Sequence, residues 1–153
     1  MPRPRRFEVR EPRVAYRAET SKVLVDTNVL IDILVDDPAW CDWSSARLAE
    51  VIDTAQPLIN VIVYAEVAAT FESLEALETA LNGLSLTREH VPWEAAFLAS
   101  KAHRLYRRRG GARTTTLSDF FIGAHAAIAG HTLLTRNATR YREYFPKLRL
   151  IAP

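Results

Sequence analysis

The chain has 153 residues, 48% of them hydrophobic and 25% charged, a balance typical of one globular domain and not of a disordered or fibrous chain. Its net charge of +2 is too small to indicate nucleic-acid binding by itself, and its single cysteine excludes an intramolecular disulfide and fits a reducing, cytoplasmic compartment. No apolar run approaches the roughly 18 residues of a membrane span. The basic start MPRPRRFEVREP lacks the apolar segment of a secretory signal.

The charge is unevenly distributed. Residues 1–20 carry six Arg, three Glu and three of the eight prolines, whereas the rest carries 14 Lys and Arg against 15 Asp and Glu. We expect residues 1–20 to form a basic Pro/Arg-rich arm that is poorly ordered by itself. Residues 21–153 are expected to form the folded domain.

The first half of that domain predicts two strands and three helices. In order, these are a buried strand at 22–25, a helix from Asn28 to about 36, a helix that Pro38 opens and that runs to about 55, a strand at 57–60, and a helix capped by Asn60 that ends near Phe71.

The second half continues the alternation. It predicts a helix at 73–82 ending at Asn82-Gly83, a strand at 84–86, a helix from Pro92 to Arg109, a helix at 117–129 capped by Thr116 and closed by Gly130, a strand at 132–135, a short helix at 138–144 and a last strand at 148–152.

Strands that alternate with helices predict an α/β domain whose parallel sheet is covered on both faces. In such sheets the ligand crevice lies beyond the carboxyl ends of the strands. Asp26 leaves the first strand there, and Asn137 follows the fourth. Glu66 lies in the helix after the second strand, and Asp119 lies in the first turn of its helix. Three acids and one amide could therefore converge.

Each acid also has a purely structural interpretation. Asp26 could cap the following helix, and Asp119 completes a Thr-x-x-Asp capping box with Thr116. Glu66 is harder to explain in this way, because an acid within an apolar helical stretch is rarely buried without a partner. The Gly- and Ala-rich stretch FFIGAHAAIAG lets its helix approach the sheet closely, which would bring Asp119 towards the crevice.

A cluster of carboxylates without a companion His or Cys suits a hard cation, Mg²⁺ or Mn²⁺. The chemistry that uses such a site is phosphodiester cleavage, in which the cation activates water and stabilises the charge on phosphorus. The four histidines and Cys41 stand at no ligand or triad spacing, so we interpret them as structural or surface residues.

Four segments in order, VLVDTNVLID, INVIVYAEV, LSDFFIGAHA and LLTRNATRYREYFPKLRLIAP, resemble the motifs of PIN-domain ribonucleases, specifically VapC-type toxins. The resemblance covers about residues 22–153. It implies a three-layer α/β/α domain with a central, mostly parallel sheet and an Mg²⁺-dependent endoribonuclease acting on RNA, tRNA included. It also implies a cognate antitoxin, a homodimer and a bacterial cytoplasmic location without membrane association.

By position, Asp26, Glu66 and Asp119 match the first three acids of that family, whereas the fourth acid is replaced by Asn137. This departure keeps open a non-catalytic module that binds RNA or a partner. A second alternative is an aspartyl-phosphate-forming phosphatase, but that chemistry needs an acid where Asn28 stands.

Two surfaces are candidates for partner binding. Arginines crowd the end of the long helix and the loop before Asp119, and we expect some of them, with Arg136, to contact RNA phosphates; they are Arg104, Arg107, Arg108, Arg109 and Arg113. One face of the second helix carries Trp40, Trp43 and Arg47, which predicts either core packing or an antitoxin contact.

Overall fold

The computed structural model describes residues 20–153. The predicted arm, apart from Thr20, lies outside the described residues. By Ser21 the chain has joined the domain, because the carbonyl of Ser21 accepts a hydrogen bond of 2.9 Å from the amide of Gln56 at the start of the second strand.

Within residues 20–153, five strands form one sheet in which every neighbouring pair is parallel, in the order β3-β2-β1-β4-β5. Their bounds are β1 Lys22–Val25, β2 Gln56–Ile59, β3 Thr87–Arg88, β4 Thr132–Leu134 and β5 Leu150–Ile151. In the centre, Leu24 pairs with Leu58 on one side and Leu133 on the other, and all three are buried. This confirms the predicted parallel sheet.

The described part of the chain contains seven α-helices: α1 Thr27–Leu34, α2 Cys41–Thr54, α3 Val61–Ala68, α4 Leu74–Asn82, α5 Trp93–Arg108, α6 Phe121–Ala129 and α7 Thr139–Tyr144. A 3-10 turn at Leu117–Phe120 precedes α6. α1 packs against α2 and α3, whereas α5 packs against α6. When connections between parallel strands are right-handed, those that lead towards one edge of the sheet place their helices on one face, and those that lead towards the other edge place them on the opposite face. The result is the predicted three-layer α/β/α architecture.

Two predicted elements are misplaced. The second helix begins at Cys41 and not at Pro38, because Asp37 Oδ1 accepts the amides of Ala39 and Trp40, both at 2.9 Å, and holds this stretch in a turn. The third strand is not at 84–86 but at Thr87–Arg88. Ser85 has a φ of 54°, so the chain becomes extended only after it.

Two helix ends also differ from the prediction. The third helix ends at Ala68, three residues before Phe71. The fourth helix ends where Asn82-Gly83 predicts, but Gly83 is not left-handed, since its φ is −73°. Gly130, at the end of α6, does have the left-handed φ of 71° that favours glycine.

Candidate active site

A cavity of about 560 Å³ opens beyond the carboxyl ends of β1 and β4. Its wall contains all four residues that the sequence predicts to converge, Asp26, Glu66, Asp119 and Asn137, together with Arg136. They come from four separate segments of the chain, and the parallel sheet brings them together because it ends its strands at one edge.

Asp26 is the most deeply buried of the acids that line the cavity, with 5% of its surface exposed. Its Oδ1 accepts the amide of Thr27 at 2.7 Å, so it does cap α1. Its Oδ2 accepts the hydroxyls of Thr135 at 2.8 Å and Tyr141 at 2.9 Å. Burial raises the pKa of Asp26, and these hydrogen bonds oppose the rise. With Oδ2 occupied, Oδ1 keeps a lone pair for another partner.

Glu66 is half-buried on α3, and the hydroxyl of Thr27 donates a hydrogen bond to its Oε2. Burial raises the pKa of Glu66, the Thr27 hydrogen bond lowers it, and the charges of Asp26 and Asp119 raise it further. The Glu66 carboxylate therefore lies close enough to those of Asp26 and Asp119 to be repelled by both.

Asp119 is partly exposed and is the third residue of the 3-10 turn, and its Oδ2 accepts the backbone amide of Thr116 at 2.5 Å. The capping box that the sequence indicated is thus present. Capping uses one carboxylate oxygen and leaves the residue in the cavity wall, so the structural and the chemical interpretations are compatible.

Asn28 and Thr135 position Asp26, a role that the sequence alone did not indicate for either residue. The Asn28 amide nitrogen lies 3.3 Å from Asp26 Oδ2 and 3.2 Å from Thr135 Oγ1, while its oxygen accepts the amide of Arg136 at 3.3 Å. Position 28 therefore requires a donor as well as an acceptor, which an aspartate would not supply. This use of Asn28 disfavours the phosphatase alternative.

Asn137 is exposed at the cavity wall, and its backbone amide donates to Thr135 Oγ1 at 3.1 Å. A fourth acid does line the cavity, although the sequence did not single it out: Glu143 on α7. It is partly neutralised, because Arg109 Nη1 lies 3.4 Å from its Oε1.

The arginines predicted to contact RNA divide into two groups. Arg136 lines the cavity, and its Nε donates to buried Asp32 at 2.8 Å. Arg109 forms an ion pair with Glu143 of the cavity wall, and its guanidinium carbon lies 5.7 Å from the ring centre of Tyr144. The remaining four are exposed and lie outside the cavity wall; they are Arg104, Arg107, Arg108 and Arg113.

Trp40, Trp43 and Arg47 are all partly buried. The two indole rings meet edge to face at 6.0 Å, and Trp43 packs against the core. Trp40 also lies 5.5 Å from the guanidinium of Arg136, next to the cavity, whereas Arg47 pairs with Glu50 at 2.9 Å.

A second polar cluster joins Glu89, His125 and His131, whose ligand-type atoms lie within 4.8 Å of one another. Asn60 Nδ2 donates to His125 Nδ1 at 3.0 Å, because the Asn60 oxygen is used in capping α3. His125 therefore carries its proton on Nε2 and donates to Glu89 Oε1 at 3.1 Å. A metal at Nε2 would place a proton on Nδ1 against the Asn60 amide, so this cluster is better explained as a hydrogen-bond network.

The acid cavity, in contrast, fits a divalent cation. Among residues 20–153, no Lys, Arg or His nitrogen lies within 4.0 Å of the carboxylates of Asp26, Glu66 or Asp119. Carboxylates that repel one another and lack a cationic partner are the donor set that Mg²⁺ and Mn²⁺ prefer.

The described residues thus form a parallel α/β/α domain with Asp26, Glu66 and Asp119 in one cavity at the carboxyl edge of its sheet. The PIN domain family model matches residues 23–144, so the chain belongs to the PIN domain family. No curated protein matches the sequence.

Solved structures with the same fold include three from bacterial complexes. VapBC2 from Rickettsia felis bound to a promoter DNA fragment has a TM-score of 0.68 and 19% identity over 86% of this chain and 98% of that one. VapBC-1 from nontypeable Haemophilus influenzae has a TM-score of 0.66 and 18% identity over 86% of this chain and 97% of that one. A toxin–antitoxin complex from Klebsiella pneumoniae has a TM-score of 0.55 and 21% identity over 78% of this chain and 89% of that one.

Proposed function

We propose that this protein is a VapC-type toxin, an Mg²⁺- or Mn²⁺-dependent endoribonuclease that a cognate antitoxin neutralises. The observation that carries the proposal is the cavity in which Asp26, Glu66 and Asp119 meet, with no Lys, Arg or His nitrogen of residues 20–153 within 4.0 Å of their carboxylates. Membership of the PIN domain family supports it. Solved structures of the same fold described as VapBC or toxin–antitoxin complexes support it further.

The described residues supply a rigid set of ligands. Asp26 and Asp119 would hold the cation, and Glu66 would contact it directly or through water. Thr135 and Tyr141 fix the Asp26 carboxylate, and Thr27 fixes Glu66. A bound divalent cation would supply Lewis acidity and a water of lowered pKa, so no side-chain nucleophile is required.

The decisive experiment incubates the purified protein with total RNA in Mg²⁺, Mn²⁺ or chelator and maps the cleaved ends. Asp26→Asn and Asp119→Asn should abolish cleavage while leaving circular dichroism and the unfolding temperature close to those of the wild type. Asp53→Asn, an exposed acid on α2, is the matched control and should cleave normally. Cleavage that persists in chelator, or in Asp26→Asn, would refute the proposal.

A second candidate is a module that binds RNA or a partner without cleaving. It is favoured by Asn137, a neutral amide in the cavity wall at the position where the family resemblance implies an acid. The same incubation separates the two candidates, because a module would bind RNA yet give no new ends with either cation.

For partners, we propose an antitoxin that contacts Trp40, Trp43 and Arg47. Trp40 lies against Arg136 at the cavity, so an element docked there could also cover the acids. Trp40→Ala should weaken antitoxin binding while RNA cleavage continues. We further propose a homodimer, which light scattering would test. A cytoplasmic location is likewise proposed, and no helix within residues 20–153 is long and apolar enough to cross a membrane.

For the substrate, we propose that the exposed arginines of α5 and the following loop contact RNA phosphates. Reversing Arg108 and Arg109 to Glu should weaken RNA binding, and the loss should be larger at low salt. Residues 1–20 are proposed to be dispensable, so a chain starting at Ser21 should fold and cleave. Loss of folding in that chain would show that the arm belongs to the domain.

A further inference from the structure

A second arginine lines the acid cavity, Arg140 on α7. Its guanidinium carbon lies 5.5 Å from the ring centre of Tyr106 and 5.6 Å from that of Phe120. Its Nη2 donates a long hydrogen bond of 3.4 Å to Thr115 Oγ1. Contacts with two aromatic faces restrict the guanidinium, so it is held at the cavity wall before any ligand arrives.

The charge of Arg140 is not balanced by an ion pair. Among residues 20–153, no carboxylate lies within 4.0 Å of it. The other arginine of the cavity wall, Arg136, is paired with buried Asp32 at 2.8 Å. Arg140 is therefore the cation of the described wall whose N–H groups are most available to a ligand.

We infer that Arg140 is a phosphate-binding residue of the acid cavity and contacts the RNA phosphodiester beside the three carboxylates. The inference rests on the proposed nuclease function and extends it to a residue that the sequence did not single out. Three carboxylates repel a phosphodiester, and Asn137 brings no charge with which to attract a further cation. A fixed guanidinium offers positive charge and a planar fork that can bind two phosphate oxygens.

Binding tests the inference without any metal. A fluorescent single-stranded RNA oligonucleotide is titrated in chelator at several salt concentrations, with the wild type, Arg140→Gln and Arg142→Gln. Arg142 is the matched control, because it lies on the same helix but is exposed and outside the cavity wall. Arg140→Gln should weaken binding by about tenfold at low salt. Its slope of log affinity against log salt should be shallower by about 0.7, the loss of one phosphate contact. Arg142→Gln should leave both quantities unchanged.

Cleavage provides the second readout. With saturating Mg²⁺ or Mn²⁺, Arg140→Gln should lower kcat by about a hundredfold, comparable to removing one preorganised donor from a transition state. Arg140→Lys keeps the charge but not the fork, so it should keep the wild-type salt slope and lose part of kcat. Should Arg140→Gln fail to fold, Arg140→Lys decides, and a wild-type kcat in that variant overturns the inference.

Equal salt slopes for Arg140→Gln and Arg142→Gln would also overturn it. The two proposals fail in different ways. If the wild type cleaves no RNA with either cation, the nuclease proposal is refuted, whereas the slopes measured in chelator still decide whether Arg140 contacts phosphate.

Discussion

Gly123 on α6 lies directly against α7, the helix that carries Tyr141. A Cβ built on Gly123 would lie 2.6 Å from Phe145 Cε2, 2.7 Å from Phe145 Cδ2 and 2.9 Å from Tyr141 Cδ1. Phe145 and Tyr141 are themselves buried, so neither ring can move into solvent. Substitution by alanine would therefore push α7 outwards and disturb the Tyr141 hydroxyl that hydrogen-bonds Asp26 at 2.9 Å.

The expected magnitude follows from two opposing effects. Overpacking of a tight contact costs about 1–3 kcal/mol, whereas alanine gains about 1 kcal/mol over glycine within a helix. We expect a net loss of up to about 2 kcal/mol, which in a domain of this size lowers the unfolding temperature by up to roughly 8 °C. Binding of Mn²⁺ should weaken as well, because Asp26 loses a fixed hydrogen-bond donor.

Gly83→Ala is the matched control for thermal unfolding. Its Cβ would lie 3.5 Å from the Ala80 carbonyl, an ordinary contact, and its φ of −73° suits alanine. This variant should be stabilised by about 0.4–1 kcal/mol, since alanine restricts the unfolded chain. Equal unfolding temperatures for Gly123→Ala and Gly83→Ala would refute the close packing of α6 on α7.

Three further predictions concern charge. Asn137→Asp should lower the Mn²⁺ concentration at half-saturation in calorimetry, because it adds a further carboxylate to the cavity wall. An unchanged titration would show that position 137 does not face the cation. Tyr141→Phe should weaken Mn²⁺ binding most at low pH. The Tyr141 hydrogen bond lowers the pKa of Asp26, so its removal raises that pKa and lets protons compete with the cation. Tyr64→Phe, outside the cavity, should bind Mn²⁺ as the wild type does. Glu89→Gln should alter stability against pH: burial alone raises the pKa of Glu89, but hydrogen bonds from His131, His125 and Lys22 outweigh it and lower the pKa from 4.5 to about 2. A carboxyl group whose pKa is lowered by folding stabilises the fold at pH values above its pKa in the unfolded chain. The free energy of unfolding of the wild type should therefore exceed that of Glu89→Gln by up to about 3 kcal/mol at pH 6, and this difference should disappear between about pH 4.5 and 2. A difference in urea unfolding that stays constant with pH would contradict the reasoning.

The sequence by itself predicts the order of strands and helices because its signals are local. A buried apolar run ends at Asp26, Asn60 caps a helix, and Gly130 ends one, and each needs only its chain neighbours to act. The third strand was predicted at the wrong position, 84–86, for the opposite reason. Both residues of Thr87–Arg88 are exposed, so no apolar pattern marks it, and pairing with β2 alone makes it a strand.

The candidate ligands are also predictable, because acids at the ends of parallel strands share one edge of the sheet. What the sequence does not contain is the group of residues that holds each ligand in place. Tyr141 contacts Asp26 across 115 residues of chain, and Thr135 does so across 109. Such pairs depend on the strand order and on how closely α7 packs on α6. Only the tertiary structure decides these features, because long-range contacts between side chains leave no periodic signal in either partner.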